Sequence, residues 1–142
     1  MLQSSHTTVV PKPPEEVFAF LADATNEQKW RSGVLDIAHE SGEGVGARYR
    51  QGVKGPGGRR VAADFEFTAF EPPSRLAFTT VAGPVRPTGA FTLEPAEGGT
   101  RVTFSLQAEV TGLKKLVMGK AVAKTMDAEV RALDNVAAAM GA

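Results

Sequence analysis

From residue 47 to residue 110 the apolar side chains recur at every second position. Ala47, Tyr49 and Val53 share one parity with Gln51, while Arg48 and Arg50 take the other. Val61, Ala63, Phe65, Phe67 and Ala69 alternate with Ala62, Asp64, Glu66 and Thr68, and Leu76, Phe78 and Thr80 fall together. Val102, Phe104, Leu106, Ala108 and Val110 oppose Thr103, Ser105, Gln107 and Glu109. A period of two with one apolar face predicts antiparallel strands packed on one side. Gly55-Pro56-Gly57-Gly58, Glu71-Pro72-Pro73-Ser74, Gly83-Pro84 and Glu97-Gly98-Gly99 supply the turns. With HTTVV at the start and the weaker LDIAHE and GAFTLE, the count reaches seven strands.

At both ends of this middle the period lengthens to that of a helix. After Pro13-Pro14, Glu15 and Glu16 complement a helix N-terminus, and Val17, Phe20, Leu21 and Ala24 form one face, with Phe18 off it. Thr25-Asn26-Glu27-Gln28 has the form of a capping box, which predicts a second short helix from Asn26 to Trp30. Near the C-terminus Leu116, Gly119, Ala123, Met126, Val130, Leu133, Ala137 and Met140 follow one another at intervals of three and four. Lys120, Lys124, Asp127, Arg131 and Asp134 lie on the other side. A helix over 113–140 would be roughly 40 Å long, enough to cross a small sheet. The charge pattern of a coiled coil is not sustained, which favours packing across the sheet. Strands and helices are therefore segregated, an α+β arrangement, and without linker or repeat the chain reads as a single domain over residues 1–142.

Composition narrows function mainly by exclusion. Lys+Arg and Asp+Glu are both 16, so no net field favours nucleic acid or an anionic membrane. The chain has no cysteine, which removes disulfides, thiolate metal sites and a cysteine nucleophile. Apolar runs are too short for a membrane span, and MLQSSHTTVV lacks a basic n-region and an apolar h-region. The expectation is a cytoplasmic protein without stable membrane insertion. Gly42-Glu43-Gly44-Val45-Gly46 imitates a dinucleotide fingerprint, but a strand follows it rather than a helix. No Gly-x-Ser-x-Gly elbow is present.

The ordered set PPEEVFAFLAD with Trp30, GVGARYR, FEPPSRLAFTT, FTLEPAEGGTRVTF and a glycine before the last helix resembles the START-like SRPBCC superfamily, in its polyketide cyclase/dehydrase-type branch. The resemblance spans the chain. It implies a helix-grip fold, with a seven-stranded curved antiparallel sheet around a long C-terminal helix and two short helices between strands 1 and 2. It also implies a cavity between sheet and helix for a small hydrophobic molecule. No cofactor and no metal are expected. Fold alone leaves three functions open: binding of an aromatic, polyketide-like or lipid-like ligand; a cofactor-free cyclase or dehydratase; or a protein-interaction module.

Residues can be assigned to such a cavity by parity. Phe65, Phe67, Phe78 and Phe91 would form its aromatic lining, with Leu116 and Met126 contributed by the helix around the small seam Gly119-x-x-x-Ala123. That seam either lets a strand approach or leaves a void beneath the helix. Tyr49, beside Gln51, either orients a ligand through its hydroxyl or fills core. Trp30 ends its segment where the cavity mouth should be, and either plugs the sheet's open end or lines the way in. His6 shares a parity with Thr8 and Val10 and would face inward; His39 would act as a base only if a carboxylate oriented it. Asp64, Glu66 and Glu109 sit on the outward parity, which argues against a paired-acid mechanism on the strands. A cavity smaller than about 300 Å³ would rule out both small-molecule functions and leave the interaction module.

Overall fold

In a computed structural model, side chains are described for residues 1–112 and 117–142. The elements run β1 (Leu2–Val10), α1 (Pro14–Ala22), a 3₁₀ turn (Ala24–Lys29), β2 (Val34–Ser41), β3 (Arg48–Lys54), β4 (Arg60–Ala62), β5 (Phe65–Glu71), β6 (Arg75–Thr80), β7 (Thr88–Ala96) and β8 (Gly99–Ala108). Then follow α2 (Gly112–Arg131), a 3₁₀ turn (Ala132–Asn135) and α3 (Val136–Ala139). All pairings are antiparallel, in the order β1-β8-β7-β6-β5-β3-β2, with short β4 also on β3. Helix α2 lies against β1 and β8. The α+β helix-grip architecture is thus present. Among the described residues no helix is long and apolar enough to cross a membrane.

The alternation places its residues as expected over most of the sheet. Tyr49, Phe65, Phe67, Leu76, Phe91, Val102, Phe104 and Leu106 are buried in one cluster with Val17, Trp30, Met126, Val130 and Leu133. Register shifts occur in β2 at Val34/Asp36 and His39/Ser41, and in β5 at Phe67/Ala69. Such irregularities bend strands and let one sheet wrap over a helix.

Local departures from strict periodicity have identifiable causes. The shift in β5 carries Phe70, not Ala69, toward the core, where its ring meets Phe18 edge-on at 5.3 Å. Phe18 is therefore buried with Val17 and Leu21, and Phe20 is only partly so. The expected helix from Asn26 to Trp30 is a 3₁₀ turn over Ala24–Lys29, capped two residues earlier. Asp23 accepts from the Thr25 backbone at 3.2 Å and from its hydroxyl at 2.6 Å, taking the role assigned to Thr25.

The stretch read as one strand over 61–69 is two, β4 and β5, so the sheet has eight strands when β4 is included. Gln51 holds the break: its amide donates to Ala63 O at 3.0 Å, and its backbone N–H donates to Asp64 Oδ1 at 3.2 Å. Arg60, beside the Gly55–Gly58 turn, makes a bidentate pair with Asp36, both contacts 2.8 Å. That hydrogen bonding holds the Asp36 carboxyl below its ordinary range.

The last helix is also interrupted. After Arg131 the 3₁₀ turn advances the phase, so Val136 becomes fully buried where a continuous helix would have presented Ala137. Asn135 donates to Trp30 O at 3.1 Å and ties this turn to the segment after α1.

Candidate functional site

Between the inner face of the sheet and α2 lies a partly open cavity of about 280 Å³. Its sheet wall is Phe65 and Phe67 from β5, Phe78 from β6, Phe91 from β7, and Phe104 and Leu106 from β8. Met118, Val122 and Met126 close it from α2. Period-two alternation puts the five phenylalanines on one face, and they touch in a ribbon: Phe65–Phe78 at 5.6 Å, Phe78–Phe91 at 6.5 Å, Phe91–Phe104 stacked at 4.4 Å. Gly89 makes the ribbon possible. It pairs with Phe78, and any Cβ there would collide with the Phe78 ring tip and the Leu106 side chain.

Six of the nine residues assigned to the cavity by sequence line it: Gln51, Phe65, Phe67, Phe78, Phe91 and Met126. Leu116 lies outside the described residues. Trp30 and Tyr49 sit behind the wall rather than on it. Trp30 is 2% exposed and packs edge-on against Phe91 and Phe104 at 6.1 and 6.0 Å, plugging the core. Tyr49 stacks on Phe65 at 5.3 Å, and its hydroxyl meets the Ala24 backbone. Burial raises the Tyr49 pKa. The small seam of α2 is not the cavity wall either: Gly119 is buried outside it, and the void lies under the neighbouring face of Met118, Ala121, Val122 and Thr125.

Neither histidine reaches the cavity. His6 faces the helix layer as expected, but pairs with Asp134 Oδ1 at 2.8 Å. His39 is exposed, donates to Gly42 O at 2.6 Å and leans on the Tyr49 ring at 5.1 Å.

The polar end of the cavity joins Gln51 to three residues that the strand patterns do not single out. Arg31, just past Trp30, donates through Nη1 to Glu27 Oε1 at 2.8 Å and to Gln51 Oε1 at 3.2 Å. Through Nε it donates to Glu129 Oε2 at 2.6 Å. Side-chain exposures of 12% for Arg31, 9% for Glu27 and 20% for Glu129 make this a shielded set. All four residues face the cavity. Burial outweighs the attraction of Arg31 and raises the Glu27 carboxyl above its ordinary value. Burial opposes the charge on Arg31, but the two carboxylates raise its pKa on balance, so the guanidinium stays charged.

Acids thus reach the interior from the turn and α2, while the strand acid Glu66 pairs with Arg48 at 3.3 Å away from the cavity. The available signal was the i, i+4 spacing of Glu27 and Arg31 around Trp30. Glu129, next to the buried Val130, carries no comparable mark.

This volume falls below the ~300 Å³ set from sequence as the floor for the small-molecule functions; the margin is smaller than the ~30 Å³ share of one water molecule, so volume does not separate them from an interaction module. The chemistry of the cavity is that of an apolar slot ending in one ion-paired, hydrogen-bonding wall.

Comparison with known proteins agrees with this architecture. The solved structure of TTHA0849 from Thermus thermophilus superposes with a TM-score of 0.81 at 23% identity, covering 98% of this chain and 95% of that one. The di-domain ARO/CYC StfQ from the steffimycin biosynthetic pathway gives 0.82 at 12% identity, over 99% of this chain and 50% of that one. At these identities the likeness is one of fold. The uncharacterized protein Rv2574 of Mycobacterium tuberculosis is 30% identical over 103 residues, 70% of this chain but 60% of its own length. A family model described as polyketide cyclase / dehydrase and lipid transport matches residues 1–141. With that match over nearly the whole chain, the protein belongs to the polyketide cyclase/dehydrase and lipid transport family.

Proposed function

We propose that this protein binds a small hydrophobic molecule between its sheet and α2. The observation that carries the reading is the cavity itself, walled by Phe65, Phe67, Phe78, Phe91 and Met126 and ending in Gln51 and Arg31. Burial of the ligand's apolar surface supplies the affinity, at roughly 25 cal/mol per Å² before the costs of association. The polar wall fixes orientation. The role assigned to Tyr49 passes to Gln51 and its neighbours, because the Tyr49 ring lies behind Phe65. The family's association with polyketides and lipid transport supports a hydrophobic ligand. The cavity volume favours a compact one. Cytoplasmic location and single-domain organisation over 1–142 belong to the same proposal.

Calorimetric titration with naphthalenemethanol, a neutral aromatic probe, tests it. Wild type is expected to bind at one site. Leu106→Trp, which fills the cavity, is expected to abolish binding while the protein stays folded. Equal binding by the two would contradict the reading.

A cofactor-free cyclase or dehydratase is the second reading, and one observation favours it. The cavity contains an inward ionisable set, with Glu27 holding its proton to higher pH than an ordinary carboxylate. Such a group can transfer a proton to or from a polyketide-like chain confined against the phenylalanines. Turnover of such a chain that disappears in Glu27→Gln would support catalysis; turnover unchanged in that variant would remove it.

A further inference from the structure

The polar wall of the cavity has more acceptors than its own guanidinium satisfies. Two carboxylates, Glu27 and Glu129, share one cation, Arg31, so the set is neutral with Glu27 protonated and carries one negative charge with it ionised, the form that a bound ammonium favours. Glu27 uses Oε1 and Glu129 uses Oε2 to receive Arg31. Among the described residues the second oxygen of each receives no protein hydrogen bond. Neither oxygen is sealed in, since Trp30 Nε1 is the fully buried side-chain polar atom left without a partner among those residues. Glu27 and Glu129 both line the cavity, whose other walls are mainly aromatic and aliphatic, and each keeps one carboxylate oxygen that Arg31 does not engage.

We propose that the ligand is a hydrophobic amine, held as its ammonium by Glu27 and Glu129; this rests on the ligand-binding reading above. An ammonium has three donors and no acceptor, which matches two half-used carboxylates. Its charge neutralises the excess on the set, and charge-assisted hydrogen bonds are the stronger kind in a shielded site. Arg31 Nη2 is a competing feature, because it makes no protein hydrogen bond among the described residues and could receive a carbonyl or carboxylate. The charge balance decides against an anion there. Lys54 also lines the cavity, but it is exposed at the rim, where water screens it.

The test is calorimetric titration of the full chain at neutral pH with three probes of one shape: naphthylmethylamine, naphthalenemethanol and naphthoate. The amine is expected to bind about tenfold or more tightly than the alcohol, the margin of a charge-assisted over a neutral hydrogen bond. Naphthoate is expected to bind most weakly. In Glu27→Gln/Glu129→Gln the ratio of amine to alcohol affinity should fall to near one. Alcohol or naphthoate binding as tightly as the amine to wild type overturns the amine assignment and leaves ligand binding standing. A preference for the amine that survives the double substitution overturns the role of the carboxylates. Failure of all three probes to bind overturns both the assignment and the binding reading beneath it.

Discussion

Arg31 Nε donates to Glu129 Oε2 at 2.6 Å, joining the turn after α1 to the last turns of α2 across 98 residues of chain. The same guanidinium holds Glu27 and Gln51, so one side chain fastens turn, helix and sheet around the polar end of the cavity.

Removing that cation leaves two shielded carboxylates unpaired. Arg31→Met is expected to destabilise the protein by about 3–5 kcal/mol, the usual cost of stranding a buried charge. Adding Glu27→Gln and Glu129→Gln should restore most of that loss, because no uncompensated charge remains. Urea unfolding of the two variants and wild type checks this; a triple variant as unstable as Arg31→Met would contradict it.

Glu27 makes stability depend on pH in a direction opposite to that of an exposed ion-paired acid. Its folded-state pKa is raised above the ordinary 4.5, so folding favours the protonated form. Its contribution is fully present below that ordinary value and is lost as pH rises through the folded-state pKa. The thermal midpoint of wild type relative to Glu27→Gln should therefore fall as pH increases above about 4.5. A difference that rises with pH would mean the pair with Arg31, not burial, dominates.

Trp30 buries an indole N–H without a partner. Trp30→Phe keeps a ring against Phe91 and Phe104 while deleting the unsatisfied donor, so gain and loss nearly cancel. Trp30→Ala leaves a cavity and should cost about 3–5 kcal/mol. Chemical denaturation of both variants separates them; equal losses would show that the N–H is satisfied in solution.

Gly89 sets the position of Phe78. Gly89→Val is expected to force the Phe78 ring and Leu106 aside, at about 1–3 kcal/mol, and to reduce naphthalenemethanol binding. Unchanged binding would mean the ring is not held by this contact.

The strands and the aromatic lining were legible because a side-chain period of two leaves little choice of face once Phe65, Phe67, Phe78, Phe91 and Phe104 are aligned. Where one added residue changes the face, as between Phe67 and Phe70, the sequence carries no mark of it. The end of α2 was hidden for a similar reason: a 3₁₀ turn moves Val136 into the core without breaking the apolar spacing. Tyr49 and Trp30 have the right parity and the right place along the chain. Depth behind a wall, however, depends on how rings stack, and here Phe65, Phe91 and Phe104 stand in front.

The polar wall was the least legible part. Glu27 lay inside a capping pattern, Thr25 to Gln28, whose role Asp23 in fact fulfils, and Glu129 looks like any acid on a helix surface. Only the packing of α2 brings it within hydrogen-bonding distance of Arg31. Charge pairs between distant segments have no local period to betray them.

The central claim, that a ligand occupies the space between the sheet and α2, is tested most directly by methyl NMR during titration with naphthalenemethanol. Saturable shifts are expected at the methyls of Leu106, Met118, Val122 and Met126, with those of the outward Val9, Leu35 and Val45 unmoved. Shifts confined to the outward methyls, or none at all, would contradict it.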